Sequence, residues 1–435
     1  MHSPDLIFTI AGGLSAALVF GYITQRIGLS PIVGYLLAGT LVGPHTPGFV
    51  ANTTLAQQLA EIGVILLMFG VGLQFHFEEL LAVRRIAIPG ALAQSGVSTI
   101  LGTALALSFG WHWSSGLIFG IALSVASTVV LIRVLSDNND LHTQAGHIAV
   151  GWLVVEDILT VLALVLLPAL FGGASGGSLP VSLALTLVKV AVLVGLTAVF
   201  GTRVIPRVLD YIAATRSREL FTLSVLVIAL GIAVVSSEVF NVSMALGAFL
   251  AGMIVGRSEY SLRAASEALP MRDAFAVLFF VSVGMLLDVH AIADVAPLVL
   301  GALAVVLIGK PLVAFILVWT LRYPLRTVLT IAVALSQIGE FSFILATLGH
   351  DLGILSTTAT NTLVATAIVS IVLNPVAYRT IGPIERWLRK YPALYGILNR
   401  ASNHSEVATK GPATATHPKY RAIVIGYGPT GRTVA

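Results

Sequence analysis

Apolar runs close to the roughly 20 residues that cross a bilayer as a helix recur thirteen times along this chain. They lie near 5–25, 30–44, 55–75, 86–109, 113–134, 146–171, 181–204, 220–236, 242–256, 270–287, 296–320, 327–349 and 357–378. Short polar or Gly/Pro-containing loops separate them, and the second, ninth and tenth runs are short. The pattern predicts an all-α membrane protein over residues 1–380 with thirteen transmembrane helices, because helices satisfy their own backbone in lipid.

Charge adds an orientation. Thirteen arginines, from Arg26 to Arg326, fall in or beside alternate loops, and the C-terminal tail on that same side carries nine more basic residues. The opposite loops (45–54, 110–113, 172–180, 237–241, 288–295, 350–356) hold no Lys or Arg. The positive-inside rule then places the N-terminus outside and the C-terminus in the cytoplasm, which requires an odd number of spans. Of the 435 residues 57% are hydrophobic and 10% charged, far too apolar for a soluble protein. The sequence pI of about 9.4 does not indicate nucleic acid, since the basic residues are spread over loops rather than gathered in a patch. Without cysteine there is no disulfide and no thiolate metal site. The opening MHSPDL lacks the basic start of a cleavable signal, so the first run reads as a retained helix.

The polar residues inside the spans carry the chemistry. Glu156 and Asp157 sit side by side in the middle of the run from Ile148 to Phe171. An acid at that depth costs roughly 2.5–3.5 kcal/mol, which marks an ion or proton site. Lys189 and Lys310 are the two basic residues within spans. Lys189, a third of the way along its helix, is expected to snorkel or to rest in a helix contact. Lys310 lies near the midpoint of its span, just before Pro311. It is expected either to pair with Glu156 or Asp157 or to be neutral and buried.

Two spans share a small, polar middle: Ile121–Thr128 (IALSVAST) in the fifth and Val333–Glu340 (VALSQIGE) in the twelfth. They stand seven apart, an odd interval, so spans four to six and eleven to thirteen run in opposite directions. This is the arrangement of an inverted repeat with two broken crossing helices, whose half-helix ends serve a midplane site. Ser127 and Thr128 in the first break either offer oxygen ligands to an alkali cation or bond back into their own helix. Glu340 either neutralises half-helix ends or joins the ion site, while Glu61, nearer the outer end of its span, reads as structural or vestibular. No HExxH or other helical histidine pair appears, so no metal is expected beyond a transported alkali cation.

After residue 380 the character changes. Residues 381–418 contain an amphipathic stretch around Glu385–Lys390, suited to the inner interface, and a flexible linker. Residues 419–435 read as a buried strand entering GxGxxG, with Gly426, Gly428 and Gly431. This is the opening of a Rossmann nucleotide-binding domain. It stops four residues later, before the expected ribose-binding acid, and reads as a truncated domain. No cofactor is expected on these residues alone, with NAD(H) or an adenine nucleotide as the ligand of a full-length regulatory domain.

Ser30–Gly39 (SPIVGYLLAG) with Gly43-Pro44, Leu59–Phe69 (LAEIGVILLMF), Leu278–Met285 (LFFVSVGM) with Asp288, and Gln337–Phe341 (QIGEF) resemble the monovalent cation–proton antiporters of the Kef type over nearly the whole chain. The resemblance implies a sodium–proton antiporter-like fold, a homodimer and a multi-pass protein of the bacterial inner membrane. It implies alternating access by an elevator-like movement, with Asp157 binding cation and proton in turn, Glu156 and Lys310 beside it, and potassium favoured over sodium. The lipid bilayer, the cation and the proton are the implied partners. Relatives pair the aspartate with Asp, Asn or Gln, so Glu-Asp with Lys leaves ion and stoichiometry open. The Kef potassium systems carry an acidic loop before the tenth span, whereas only Glu267 is acidic between Arg263 and Pro270. Nucleotide rather than glutathione is therefore the expected regulator. The other reading is a nucleotide-regulated cation efflux channel: Val33-Gly34-Tyr35 resembles a filter triplet, but within a hydrophobic helix. An enzyme is not expected.

Overall fold

The computed structural model describes residues 5–46, 52–73, 77–171, 203–240, 243–288 and 290–399, with scattered positions between 188 and 201. The described residues are helical throughout their ordered elements. The first half contains α1 (Asp5–Arg26), α2 (Pro31–Val42), α3 (Thr53–Leu73), α4 (Phe77–Ser108), α5 (Trp113–Ser124), α6 (Thr128–Asp137) and α7 (Gln144–Phe171). Next come α8 (Ile205–Ala214), α9 (Arg218–Glu238), α10 (Met244–Gly256), α11 (Ser261–Met285) and α12 (Ile292–Ala304). The chain closes with α13 (Lys310–Thr320), α14 (Leu325–Ala334), α15 (Glu340–Asp351), α16 (Thr357–Arg379), α17 (Ile381–Leu388) and α18 (Pro392–Leu398). Among the described residues, nine helical spans are long and apolar enough to cross a membrane, and three shorter apolar helices accompany them.

Each apolar run meets helix where it is described, and the starts follow local chemistry. Ser30 accepts from the Ile32 amide with Pro31 opening α2, and Ser217, Ser243 and Ser356 cap α9, α10 and α16 in the same way. The seventh run, 181–204, falls mostly outside the described residues; Lys189 is half-buried there. The linker 401–418 and the Gly-rich segment with Gly426, Gly428 and Gly431 also lie outside them.

The helices pack in two groups. One joins α1, α2 and α3 with α9, α10 and α11; the other joins α4 to α7 with α12 to α16. In the first group α2 and α11 touch backbone to backbone. A Cβ on Gly39 would strike the Val281 carbonyl, and one on Gly284 the Leu36 carbonyl, which is the close approach that small residues allow in membranes. Thr40 seals it by donating to the Gly284 carbonyl at 3.2 Å.

In the second group two spans are interrupted. Helix α5 ends at Ser124, Val125 and Ser127 are extended, and α6 restarts at Thr128 with the Ser127 hydroxyl accepting from the Val130 amide. Likewise α14 ends at Ala334 and α15 begins at Glu340 after an extended Gly339. The breaks fall in the small, polar stretches IALSVAST and VALSQIGE. They cross: the Gly339 amide donates to the Val125 carbonyl at 3.1 Å. A Cβ on Gly339 would lie 2.5 Å from the Ala126 carbonyl oxygen, so glycine is required there. The eleventh span bends through a π-helical turn, Val305–Gly309, which hands over to Lys310 at the head of α13.

Candidate functional site

Breaking two helices in an apolar interior frees backbone groups whose desolvation costs several kcal/mol each unless partners are found. Side chains supply them. The Gln337 amide clasps the opposite break, its Oε1 accepting from the Ser127 amide at 2.9 Å and its Nε2 donating to the Ser127 carbonyl at 3.1 Å. Lys310 Nζ donates to the Gln337 carbonyl at 3.1 Å. Glu156 Oε2 accepts from the Ala126 amide at 3.1 Å, and Glu156 Oε1 accepts from Gln94 Nε2 at 2.7 Å. Asn374 Nδ2 donates to the Val333 carbonyl at 2.7 Å, and the Ser342 hydroxyl donates to the Ala122 carbonyl at 2.6 Å, which covers the C-terminal ends of both leading half-helices. A cation thus meets one break and an anion the other.

Of the residues singled out in the sequence, Glu156, Asp157, Ser127, Thr128, Lys310 and Glu340 all gather at this crossing, each buried except the half-buried Thr128. Adjacent on α7, the two acids diverge in employment. Glu156, 1% exposed, has both oxygens engaged. Asp157, 8% exposed, accepts from Thr128 Oγ1 at 3.4 Å through Oδ2, while its Oδ1 is buried without a hydrogen-bond partner among the described residues. Glu340, 5% exposed at the start of α15, has an unpartnered Oε2. The Ser127 hydroxyl accepts from the Val130 amide at 3.3 Å and so caps the half-helix that follows it.

The expected partner of Lys310 needs a correction. Fully buried, the ammonium makes no direct ion pair among the described residues; its hydrogen bond goes to the Gln337 carbonyl. Its charge acts on Glu156 through space. The negative C-terminal end of α14 nearby favours a cation at that place. Gln94 and Gln337 were not singled out as site residues. Their signal was an amide within an apolar span, the same signal as the acids at lower cost.

A cavity of about 370 Å³ lies between the two helix groups, lined by Gln57, Glu61, Leu164, Ser282, Thr347 and Asp351 among others. Leu164 stands two turns along α7 from Asp157, about 10 Å of helix rise.

The family model described as sodium/hydrogen exchanger, transmembrane, matches residues 14–382. YbaL of Escherichia coli (strain K12), whose name is that of a cation/proton antiporter, is 48% identical over 435 residues, covering 99% of this chain and 76% of the relative. K(+) efflux antiporter 4 of Arabidopsis thaliana is 31% identical over 392 residues, covering 88% of this chain and 65% of the relative. Among solved structures, the sodium proton antiporter MjNhaP1 of Methanocaldococcus jannaschii superimposes with a TM-score of 0.66 at 17% identity, covering 87% of this chain and 97% of that one. That likeness concerns the fold: an all-helical membrane protein built as MjNhaP1 is.

Proposed function

The chain belongs to the sodium/hydrogen exchanger family, and from that premise we propose that it exchanges a monovalent cation for protons across the membrane, with Asp157 as the shared site. One observation carries the reading: a buried carboxylate, beside the crossing of two broken helices, keeps an oxygen without a partner. Desolvation pulls such a group towards its neutral form, while a bound cation or neighbouring positive charge pulls it towards the carboxylate. If the cation binds only the ionised acid, proton and cation exclude one another, and exchange is obligatory provided the empty, charged site crosses the membrane less readily than the loaded one.

Glu156 and Lys310 take a different part in this mechanism. Each holds one break, Glu156 through the Ala126 amide and Lys310 through the Gln337 carbonyl. They keep the crossing rigid while the occupant of Asp157 changes. Potassium is the proposed cation, supported by the name of the 31% identical plant relative. Thirteen spans with an external N-terminus, supported by the sorting of basic residues, put the 370 Å³ cavity on the outer side. The two packing groups support an elevator-like movement of one against the other. A homodimer in a bacterial inner membrane, regulated by nucleotide through a full-length domain of which Gly426, Gly428 and Gly431 form the opening turn, completes the proposal.

Proteoliposomes enclosing a pH dye test it. An imposed potassium gradient is expected to move protons in the opposite direction, whereas a channel would carry potassium current with no obligatory proton movement.

A further inference from the structure

Glu340 enters the crossing from the second break, as the first residue of α15. Gly339, its neighbour, rests against the Ala126 carbonyl and the Ser127 amide, at 2.5 and 2.9 Å from where its Cβ would stand. The next two hydroxyls along the first break then address one acid each: Thr128 donates to Asp157 at 3.4 Å, and the Ser127 hydroxyl lies against the Glu340 carboxyl. Both carboxylates are more than nine-tenths buried, and each keeps one oxygen, Asp157 Oδ1 and Glu340 Oε2, with no hydrogen-bond partner among the described residues. Among the described residues no Lys or Arg forms an ion pair with either. The Glu340 carboxylate also begins a half-helix, where the positive end of the dipole favours it ionised.

Two ionised carboxylates buried at one crossing repel unless a cation or a proton compensates them. Hard alkali cations shed water only for several oxygens, and a carboxylate on either side with hydroxyls along one edge is such a set. Glu156 offers no comparable place, because both of its oxygens are already taken. We propose that Glu340 is a second direct ligand of the transported cation, so that the ion is seated between α7 and the second break, bridging Asp157 and Glu340, with Ser127 and Thr128 completing the oxygen set. The assignment rests on the antiport reading above and extends it: the cation ties together both broken helices, so its arrival and departure act on the crossing itself.

The test uses the purified full chain and potassium chloride as probe, with choline chloride at equal ionic strength as reference. Potassium is expected to raise the Tm of the wild type. Glu340→Gln is expected to lose that increment and to raise the potassium KM of proton-coupled flux in vesicles at least tenfold. A Glu340 that merely holds the fold would lower the Tm in both salts and leave the increment intact, which would overturn the proposal. Should Glu340→Gln fail to fold, Glu340→Asp keeps the charge but draws the oxygen back by one methylene. It is then expected to change the ranking of lithium, sodium, potassium and rubidium, and an unchanged ranking with unchanged KM would overturn the assignment. The two readings fail differently. A wild type without potassium-driven proton movement sinks antiport itself, whereas a wild-type-like Glu340→Gln sinks only the second ligand.

Discussion

At the scale of single residues, two neighbouring acids do different work because consecutive positions on a helix point about 100° apart. Asp157 reaches Thr128 with one oxygen and has no partner for the other among the described residues, while Glu156 reaches Gln94 and a backbone amide. Asp157→Asn is expected to abolish exchange while the protein still folds, since an amide neither releases a proton nor balances a cation; vesicle flux at wild-type rates would refute this. Lys310→Met is expected to lower stability by about 1–3 kcal/mol, because it strands the buried Gln337 carbonyl and removes the positive charge that acts on Glu156. Adding Glu156→Gln to it should recover part of that loss, a non-additivity readable from thermal melts of the two single variants and the double. The acids and the lysine were legible in the sequence because an ionisable group inside an apolar run is costly wherever it lies. The charge that Lys310 acts on, Glu156, was legible, whereas the hydrogen-bond acceptor of Lys310 was not. Its carbonyl acceptor belongs to Gln337, 27 residues away, and the sequence marks side chains, not the backbone oxygens that a broken helix exposes.

At the scale of elements, the two interruptions make the site possible and also create its main liability. Small residues and serines in IALSVAST and VALSQIGE signalled where the helices stop, and α5, α6, α14 and α15 end and restart within those stretches. How the breaks interlock could not be read in advance, because the clasp between Gln337 and Ser127 joins residues 210 positions apart. Gln337→Ala strands the buried Ser127 amide, at roughly 1–3 kcal/mol, while the Ser127 carbonyl keeps the Leu131 amide as donor. A lowered Tm in detergent is the expected result, and an unchanged one would show that the clasp contributes little. Gly339→Ala pushes a methyl group into the Ala126 carbonyl. Overpacking of this kind costs about 1–3 kcal/mol, so loss of both stability and flux is expected, and a variant with normal melting and flux would mean that the crossing relaxes easily. At the other end of α14, the Leu325 amide donates to Asn399 Oδ1 at 3.0 Å. The tail therefore holds directly the half-helix whose far end reaches the site.

At the scale of the whole molecule, the two helix groups are joined by different kinds of contact. Within the first, glycines bring α2 and α11 into backbone contact; within the second, buried amides, acids and one lysine tie the breaks together. Between them lies the cavity lined by Glu61 and Asp351, beginning about two turns from Asp157. Each group has its own internal cohesion, and the cavity lies between them. The central claim is that one buried acid holds either a proton or a cation, and its most direct test is the potassium KM of proton-coupled flux measured in vesicles at a series of pH values with the membrane potential clamped. Competition predicts that KM rises about tenfold for each unit by which pH falls below the point where protons begin to occupy the site, with the maximal rate at saturating potassium little changed. A KM that stays constant across the series, or potassium movement that continues with no proton moving the other way, would contradict the account.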